Sequence, residues 1–361
     1  MKNIQDLYTD YLLSSFGQTT STGLSSVLEG SLSHDKITRH LSQPINSGKE
    51  LWLSVKSFVK KHKTQDACLI FDDTIIEKAY SSCNSYNCWH WDHSKGKNVK
   101  GLNILNCLYH SQTKDNCIRV PVNYELITKP IHYSEIATKT EKRKSKTSKN
   151  ELFRAMVSQT IHNQLAFKYV LADSWFCSNE NMRFIDKNKK TFIFDIKTNR
   201  LATLGLDLRN KGQWTRIDEM DFTKDTPKEV YLKGLEIKVL VVKQVFTNKD
   251  KSVGVRYLVS NNLSLTGVDF MTLYKKRWSV EEYHKSLKQN SSIGKSPAST
   301  KNTQINHVFH SILAYVKLEK LKINTNQNHF AMKAKIYLAA VKAAYKELNK
   351  IKGIEVNYQF A

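Results

Sequence analysis

The stretch Ala67-Cys68-Leu69-Ile70-Phe71-Asp72-Asp73-Thr74 decides the fold class of this chain of 361 residues. Its five consecutive apolar residues predict a strand that is buried on both faces, because a strand with one solvated face would alternate apolar and polar residues. A second apolar run, at 167–172, stops at Asp173 in the same way. The pattern predicts an α/β fold in which Asp73 and Asp173 lie at the ends of buried strands, where such sheets present functional groups.

The composition points to a polyanion as the partner. Lys and Arg number 56 and Asp and Glu 33, so the formal net charge is +23 with His neutral. An excess of this size favours nucleic acid. We expect no membrane partner, because no apolar run approaches the roughly 18 residues of a spanning helix. Residues 1–16 lack the features of a secretory signal, and six Cys in so long a chain fit a reducing cytosol better than a disulfide scaffold.

A helical segment late in the chain gathers chemically active side chains on one face. In LYKKRWSVEEYHKSLKQN (273–290), the residues Tyr274, Arg277, Glu281 and Lys288 fall within an arc of about 60°. Glu282 lies roughly 80° from the start of that arc, on its opposite side. Of the neighbouring acids Glu281 and Glu282, Glu281 is therefore the one we predict to be functional.

Two strand-end acids and one helical acid are suited to metal-assisted attack on a phosphodiester. Mg²⁺ prefers oxygen ligands and keeps waters and a substrate phosphate in its coordination shell. Two such ions can activate the attacking oxygen and stabilise the leaving one. The cations Arg277 and Lys288, on the same helix as Glu281, could hold nearby phosphates.

The spacing Tyr274–x2–Arg277–x3–Glu281–x6–Lys288 resembles the Y-(2)-R-(3)-E-(6)-K signature of IS4-type DDE transposases in all four positions. Asp73, which precedes a Thr, resembles the first acid of that family's triad, and Asp173 resembles the second. The resemblance implies an α/β fold with a ribonuclease-H-like mixed sheet and flanking helices. It also implies a β-rich insertion before the last catalytic helix, with helical regions at both ends of the chain.

The resemblance further implies an activity and its cofactor. A transposase of this type cuts DNA at terminal inverted repeats and transfers the 3′-OH ends into target DNA. Asp73, Asp173 and Glu281 would hold two Mg²⁺ ions, for which Mn²⁺ can substitute. Tyr274, Arg277 and Lys288 would contact the double-stranded transposon end, and we add Trp278 and Lys285 as DNA contacts on the same segment. The enzyme would act as a homodimer in the bacterial cytoplasm, at the nucleoid.

The resemblance also divides the chain into five predicted regions. They are a helical N-terminal DNA-binding region (1–65), the first part of the catalytic core (66–211), the β-rich insertion (212–252), the second part of the core (253–325) and a helical C-terminal region (326–361). In the first region, Ser33 is the predicted cap of a short helix with Ile37 and Leu41 on its apolar face, from which His40 would point away. Residues 138–150 are polar and basic, and we predict a mobile loop that contacts DNA between Lys139 and Lys149.

Several members of the family flip a base at the cleaved end onto a Trp of the insertion while they form a DNA hairpin. No Trp occurs here between Trp214 and Trp278, which leaves hairpin formation open. Tyr257 and Trp278 are the two candidates to stack on a flipped base.

Other interpretations of the same residues stay open at this point. Asp72 is an accessory or turn residue if Asp73 is the ligand, and Asp173 could cap a helix. The cluster of Cys83, Cys88, His90 and His93 has a spacing tighter than that of usual zinc fingers, so we expect His90 and His93 to assist at the rim of the active site rather than to bind zinc. The alternatives to a transposase are a DNA-binding derivative without transposition activity and a ribonuclease-H-like nuclease or resolvase.

Overall fold

The computed structural model describes residues 3–45, 47–92, 95–136, 140–248 and 250–353. The chain forms two compact units. One comprises Met1–Asn46 together with His284–Ala361, and the other comprises Ser47–Tyr283.

The unit Ser47–Tyr283 contains every strand found among the described residues. They are β1 (Cys68–Glu77), β2 (Cys88–Asp92), β3 (Lys97–Gln112), β4 (Cys117–Ile127), β5 (Ile131–Glu135), β6 (Thr140–Lys144), β7 (Tyr169–Ala172), β8 (Thr191–Ile196), β9 (Leu201–Thr203), β10 (Thr215–Arg216), β11 (Lys228–Leu232), β12 (Lys238–Thr247) and β13 (Val253–Ser260). The helices of the chain are α1 (Ile4–Ser14), α2 (Ser21–Val27), α3 (His34–Leu41), α4 (Ser47–Lys61), α5 (Lys149–His162), α6 (Asn179–Lys187), α7 (Leu206–Asn210), α8 (Gly267–Lys275), α9 (Trp278–Asn290), α10 (Lys301–Thr325) and α11 (His329–Ile351).

The centre of the sheet has the strand order β4-β3-β1-β7-β8. β4, β3 and β1 form an antiparallel meander, whereas β1, β7 and β8 are parallel to one another. Parallel strands need crossover connections, and here α5 precedes β7 and α6 precedes β8. The apolar run of β1 is fully buried from Cys68 to Phe71, as predicted for a strand covered on both faces. The prediction that Asp73 lies at the end of this strand is wrong, because β1 continues to Glu77 through its pairing with β3. The whole is the expected ribonuclease-H-like mixed sheet with flanking helices.

The sheet continues beyond β8 through antiparallel strands in the order β13-β12-β11-β9-β10. Between β8 and β13, the chain therefore inserts strands that lengthen the same sheet. The insertion contains β10, β11 and β12, which fall within the segment 212–252 where alternating and charged residues predict strands.

The prediction of a loop over residues 138–150 is wrong for residues 140–144, which form β6 and pair with β5. Cross-strand contacts explain the pairing, because Lys142 forms an ion pair with Glu135 and the Lys144 ammonium lies 5.7 Å from the centre of the Tyr133 ring. A segment of charged residues can thus form a strand when its partners lie in the neighbouring strand. Residues 137–139, including Lys139, lie outside the described part of the chain.

The unit formed by the two ends of the chain is helical, and its core is built from α1, α2, α3, α10 and α11. Ser33 caps α3 and Ile37 and Leu41 are buried, as predicted. His40 does not point away from this core, since its ring contacts His310 of α10 at 3.2 Å. Within the described residues, none of the helices is long and apolar enough to span a membrane.

Candidate active site

Three carboxylates lie level with one another across the parallel strands. The register of β1, β7 and β8, continued by one or two residues beyond the paired positions, places Asp72, Asp173 and Asp195 side by side. Asp173 directly follows β7, and its carboxylate accepts a hydrogen bond of 3.0 Å from the backbone N–H of Trp175. Asp195 was not predicted from the sequence. The available signal was an acid within the apolar strand TFIFDIK.

Asp72 and Asp73 point to opposite faces of the sheet, because side chains alternate along a strand. The ring of Phe71 packs on Phe153 of α5 with the ring centres 4.4 Å apart, so Phe71 and Asp73 face α5. Lys149, the first residue of α5, places its ammonium 2.7 Å from both carboxylate oxygens of Asp73. Asp72 faces the other side of the sheet, where Arg277 acts on it electrostatically.

Burial and mutual repulsion disturb the titration of these acids. Burial, followed by the charges of Asp173 and Asp73, raises the pKa of Asp72 to about 7, although Arg277 opposes the rise. Burial likewise raises the pKa of Asp173 above its usual value. The pKa of Asp195 rises to about 6 through burial, against the lowering effect of Arg256. Clustered perturbed acids of this kind are typical of functional sites.

Tyr274, Arg277 and Glu281 lie next to this row of acids. The Tyr274 hydroxyl donates a hydrogen bond of 3.4 Å to the carbonyl of Ala172, the last residue of β7. The Arg277 guanidinium donates a hydrogen bond of 2.6 Å to the Glu281 carboxylate. Burial also raises the pKa of the Tyr274 phenol, so this hydroxyl stays protonated and acts as a donor.

The periodicity of the segment that carries these residues predicts one continuous helix, and this prediction is wrong. α8 ends at Lys275 and α9 begins at Trp278. Across the junction, the backbone hydrogen bonds tighten to an i→i−3 pattern, as in the bond of 2.9 Å from the Arg277 N–H to the Tyr274 carbonyl. The arc calculated for an ideal helix therefore does not hold over the whole motif.

The two remaining cations of the motif region lie on the C-terminal part of α9, which belongs to the unit formed by the chain ends. Lys288 and Lys285 are exposed. The Lys285 ammonium lies 5.2 Å from the centre of the Phe330 ring of α11. Glu282, the neighbour of Glu281, forms an ion pair with Arg119 of β4.

A cavity of about 500 Å³ is lined by residues of β13, α8 and the α8–α9 junction and combines positive charge with aromatic rings. Its lining includes Arg256, Arg277 and Trp278. The two guanidinium groups lie 5.0 Å and 5.6 Å from the centre of the Tyr274 ring. Arg256 was missed from the sequence, because an Arg on β13 has no local feature that links it to α8.

The two candidates for base stacking differ in accessibility. Trp278 is half exposed and lines the cavity, whereas Tyr257 is buried and its ring contacts Phe222 with the centres 5.6 Å apart. Tyr257 is therefore unsuited to stack on a base, and Trp278 remains as the candidate.

The structure describes His90, one of the two predicted accessory histidines. His90 is buried on β2, and burial together with the positive charges of Lys129 and Lys149 lowers its pKa to about 4. Its ring contacts the Cys88 thiol at 3.4 Å, while Cys83 is exposed. His93 lies outside the described residues.

The acids suit a divalent cation by their chemistry, since Mg²⁺ prefers carboxylate oxygens and would relieve the repulsion between Asp72 and Asp173. In the part of the chain that the structure describes, no group of three or more His, Cys, Asp or Glu side chains is arranged to hold a metal ion. Asp73 is paired with Lys149 and Glu281 with Arg277. Asp72 and Asp173 therefore have the surroundings that fit a cation best.

Comparison with known proteins agrees with this architecture. A family model described as "Transposase DDE domain" matches residues 63–317, more than two thirds of the chain. The match includes every strand of the sheet and continues through α8 and α9. A search of curated proteins gave no match. On the extent of the family match, and with the mixed sheet and its row of acids in place, the chain belongs to the DDE transposase family.

Proposed function

We propose that the protein is the transposase of an insertion sequence of the IS4 type, which cleaves DNA at terminal inverted repeats and transfers the 3′-OH ends into target DNA. The observation that carries the proposal is the row of Asp72, Asp173 and Asp195 across the parallel strands, beside the segment with Tyr274, Arg277 and Glu281. We further propose that it acts on double-stranded DNA as a homodimer, in the bacterial cytoplasm at the nucleoid.

The proposed metal ligands are Asp173, Glu281 and one of the two consecutive acids of β1. Two Mg²⁺ ions, or Mn²⁺ in their place, would activate the attacking oxygen and stabilise the leaving one. Family resemblance assigns the first acid to Asp73. The geometry favours Asp72, because it shares the face of Asp173 and Arg277, whereas Asp73 faces α5 and is neutralised by Lys149.

The protein's own side chains would bind and orient the DNA end. Arg277 would hold a phosphate next to the cleaved bond when Glu281 turns toward the acids, since a guanidinium fits phosphate oxygens in a bidentate manner. Tyr274 anchors the segment to the end of β7 through its hydroxyl. Lys288 and Lys285 would contact phosphates farther along the duplex. Trp278 would stack on a base that leaves the helix and enters the cavity beside Arg256.

The experiment uses a labelled duplex that carries the ends flanking the gene, with Mg²⁺ or Mn²⁺. Wild-type protein is expected to cut at the end. Asp173→Asn and Glu281→Gln should each lower the cleavage rate at least about 100-fold, because each variant removes a proposed ligand of the metal ions. Both variants should bind the end as wild type does. Glu282→Gln is the matched control, because Glu282 lies next to Glu281 on α9 but pairs with Arg119 of β4, and this variant should cleave normally.

A paired comparison decides between the two acids of β1. If Asp72 is the ligand, Asp72→Asn abolishes cleavage and Asp73→Asn retains a measurable rate. The opposite result assigns the role to Asp73. Normal cleavage by both variants, or by Glu281→Gln, contradicts the proposed site.

The products separate the remaining alternatives. Hairpin ends would support base flipping onto Trp278, and joined strands would establish transfer. Cleavage of duplexes without the inverted repeats would point to a nuclease or resolvase. Binding without any cleavage in Mg²⁺ or Mn²⁺ would point to a DNA-binding derivative.

A further inference from the structure

Two tryptophans of β2 are exposed side by side. Trp89 is 57% and Trp91 is 52% exposed, although Trp contributes most to stability when its ring is buried. Adjacent exposed aromatic rings on a folded domain mark an interaction surface more often than isolated ones do. β2 lies between β1 and β3 in the chain and carries none of the acids Asp73, Asp173 and Glu281.

The opposite face of β2 holds these rings in place. Cys88 and His90 are buried and in contact with each other. The Lys129 ammonium binds the backbone carbonyl of Trp89 at 2.8 Å. Because side chains alternate along a strand, this anchoring directs Trp89 and Trp91 to the same side, about 7 Å apart along the chain.

The register of the sheet shows which side that is. Trp89 pairs with Lys100 of β3, and six residues farther along β3 Asn106 pairs with Asp72 of β1. Residues paired across antiparallel strands share a face, and so do residues an even number apart. The two tryptophans therefore lie on the face of Asp72. Asn106 also accepts a hydrogen bond of 3.2 Å from Tyr283 of α9, the helix of Glu281.

The surroundings favour a nucleic acid over an apolar partner. Lys100 lies in register beside Trp89, and the chain as a whole has a net charge of +23. Exposed aromatic rings on a sheet next to cations are how proteins stack the bases of a single strand while they neutralise its phosphates. A fully paired duplex offers no free base faces to such rings.

We propose that Trp89 and Trp91 form a binding surface for unpaired DNA, on which two bases of a single strand stack while Lys100 contacts the backbone. The proposal rests on the proposed DNA-cleaving function, because the two tryptophans would hold the unpaired DNA strand on the same face of the sheet as Asp72. The strand would be one that separates from its complement next to the cut.

The test measures binding by fluorescence anisotropy with a chelator present, so that cleavage plays no part. The probes are a labelled oligothymidylate, the same oligomer with abasic sites, and a duplex of equal length. Wild type should bind the oligothymidylate at least about 5-fold more tightly than the abasic oligomer, which lacks bases to stack. Trp89→Ala and Trp91→Ala should each remove about 5-fold or more of the affinity for the oligothymidylate and leave the abasic affinity unchanged.

Two further variants guard against misfolding and non-specific effects. Trp89→Phe with Trp91→Phe keeps aromatic rings and should retain most of the affinity. Tyr337→Ala removes an exposed ring from α11 and should bind as wild type. The proposal is overturned if wild type binds the abasic oligomer as tightly as the oligothymidylate, or if Trp89→Ala and Trp91→Ala both bind the oligothymidylate as wild type does. If wild type does not cleave the transposon end but still prefers the oligothymidylate to the abasic oligomer, and the Ala variants lose this preference, the result contradicts the proposed function alone.

Discussion

At the scale of single residues, the site is governed by which charges are neutralised. Asp73 has Lys149 against both of its oxygens, and Glu281 has Arg277. Asp72 and Asp195, by contrast, are acids whose pKa values rise to about 7 and about 6. An acid held above its usual pKa destabilises the folded protein once it is ionised.

Asp195 makes this destabilisation measurable without altering a proposed metal ligand. Its pKa rises from 3.8 to about 6 on folding, so the folded protein binds more protons than the unfolded chain between about pH 4 and pH 6. Stability is therefore lost as the pH rises through this window. Asp195→Asn removes the effect and should raise the free energy of unfolding above pH 6 by up to about 3 kcal/mol.

Urea denaturation of both proteins at several pH values checks this. The difference should vanish near pH 4, and the exposed substitution Asp207→Asn should give no such profile. If the difference in the free energy of unfolding between the two proteins is the same at every pH, burial does not raise the pKa of Asp195 as described.

At the scale of elements, close packing of backbones limits what the strands tolerate. β3 pairs with β1 on one side and with β2 and β4 along its length. Gly101 lies where β1 and β2 both approach it, and a Cβ atom there would stand 2.2 Å from the carbonyl oxygen of Ile76. The contact is with backbone, so no side chain can turn away to relieve it.

Gly101→Ala is therefore expected to lower the free energy of unfolding by about 1–3 kcal/mol, the usual cost of overpacking. Chemical denaturation measures the loss. Gly205→Ala is the matched control, because a Cβ atom at Gly205 has no neighbour within 4 Å. Equal stability of Gly101→Ala and wild type would contradict the close approach of β1 to β3.

The junction between α8 and α9 also departs from what the sequence pattern predicts. The sequence periodicity predicts a single helix, and the chain instead tightens at Lys276 and Arg277. The tightening leaves Arg277 able to reach both the Tyr274 ring and the Glu281 carboxylate. Local geometry, and not the ideal helical arc, brings these three residues together.

At the scale of the whole molecule, the excess of positive charge should dominate the affinity for DNA. A net charge of +23 predicts that many phosphates are neutralised on binding, with release of their counterions. If six or more phosphates are contacted, duplex affinity should fall about 10³-fold or more between about 50 and 200 mM salt.

Anisotropy titrations over that range, in chelator, measure the slope of log affinity against log salt. Lys288→Gln should reduce the slope by about one unit, since it removes one phosphate contact. A shallow slope for wild type would mean that the charge does not act through DNA phosphates.

Much of the fold could be predicted from local patterns. The buried run before Asp72, the run before Asp173 and the helix cap at Ser33 each correspond to an observed element, because burial on both faces and helix capping are set by neighbouring residues. The spacing from Tyr274 to Lys288 indicated a transposase of the DDE family, and the match over residues 63–317 shows membership of that family.

What the sequence by itself determined is the buried runs of β1 and β7, the acids Asp73 and Asp173 that follow these runs and, through the match to the family model, the membership of the DDE transposase family. Only the tertiary structure decided which acid of the Asp72–Asp73 pair faces Arg277, and that Asp195 and Arg256 belong beside the site. The physical reason is that the face of a strand residue, and its neighbours across the sheet, depend on register and on packing against α5 and α8. Those contacts join segments far apart in the chain, which local periodicity does not record.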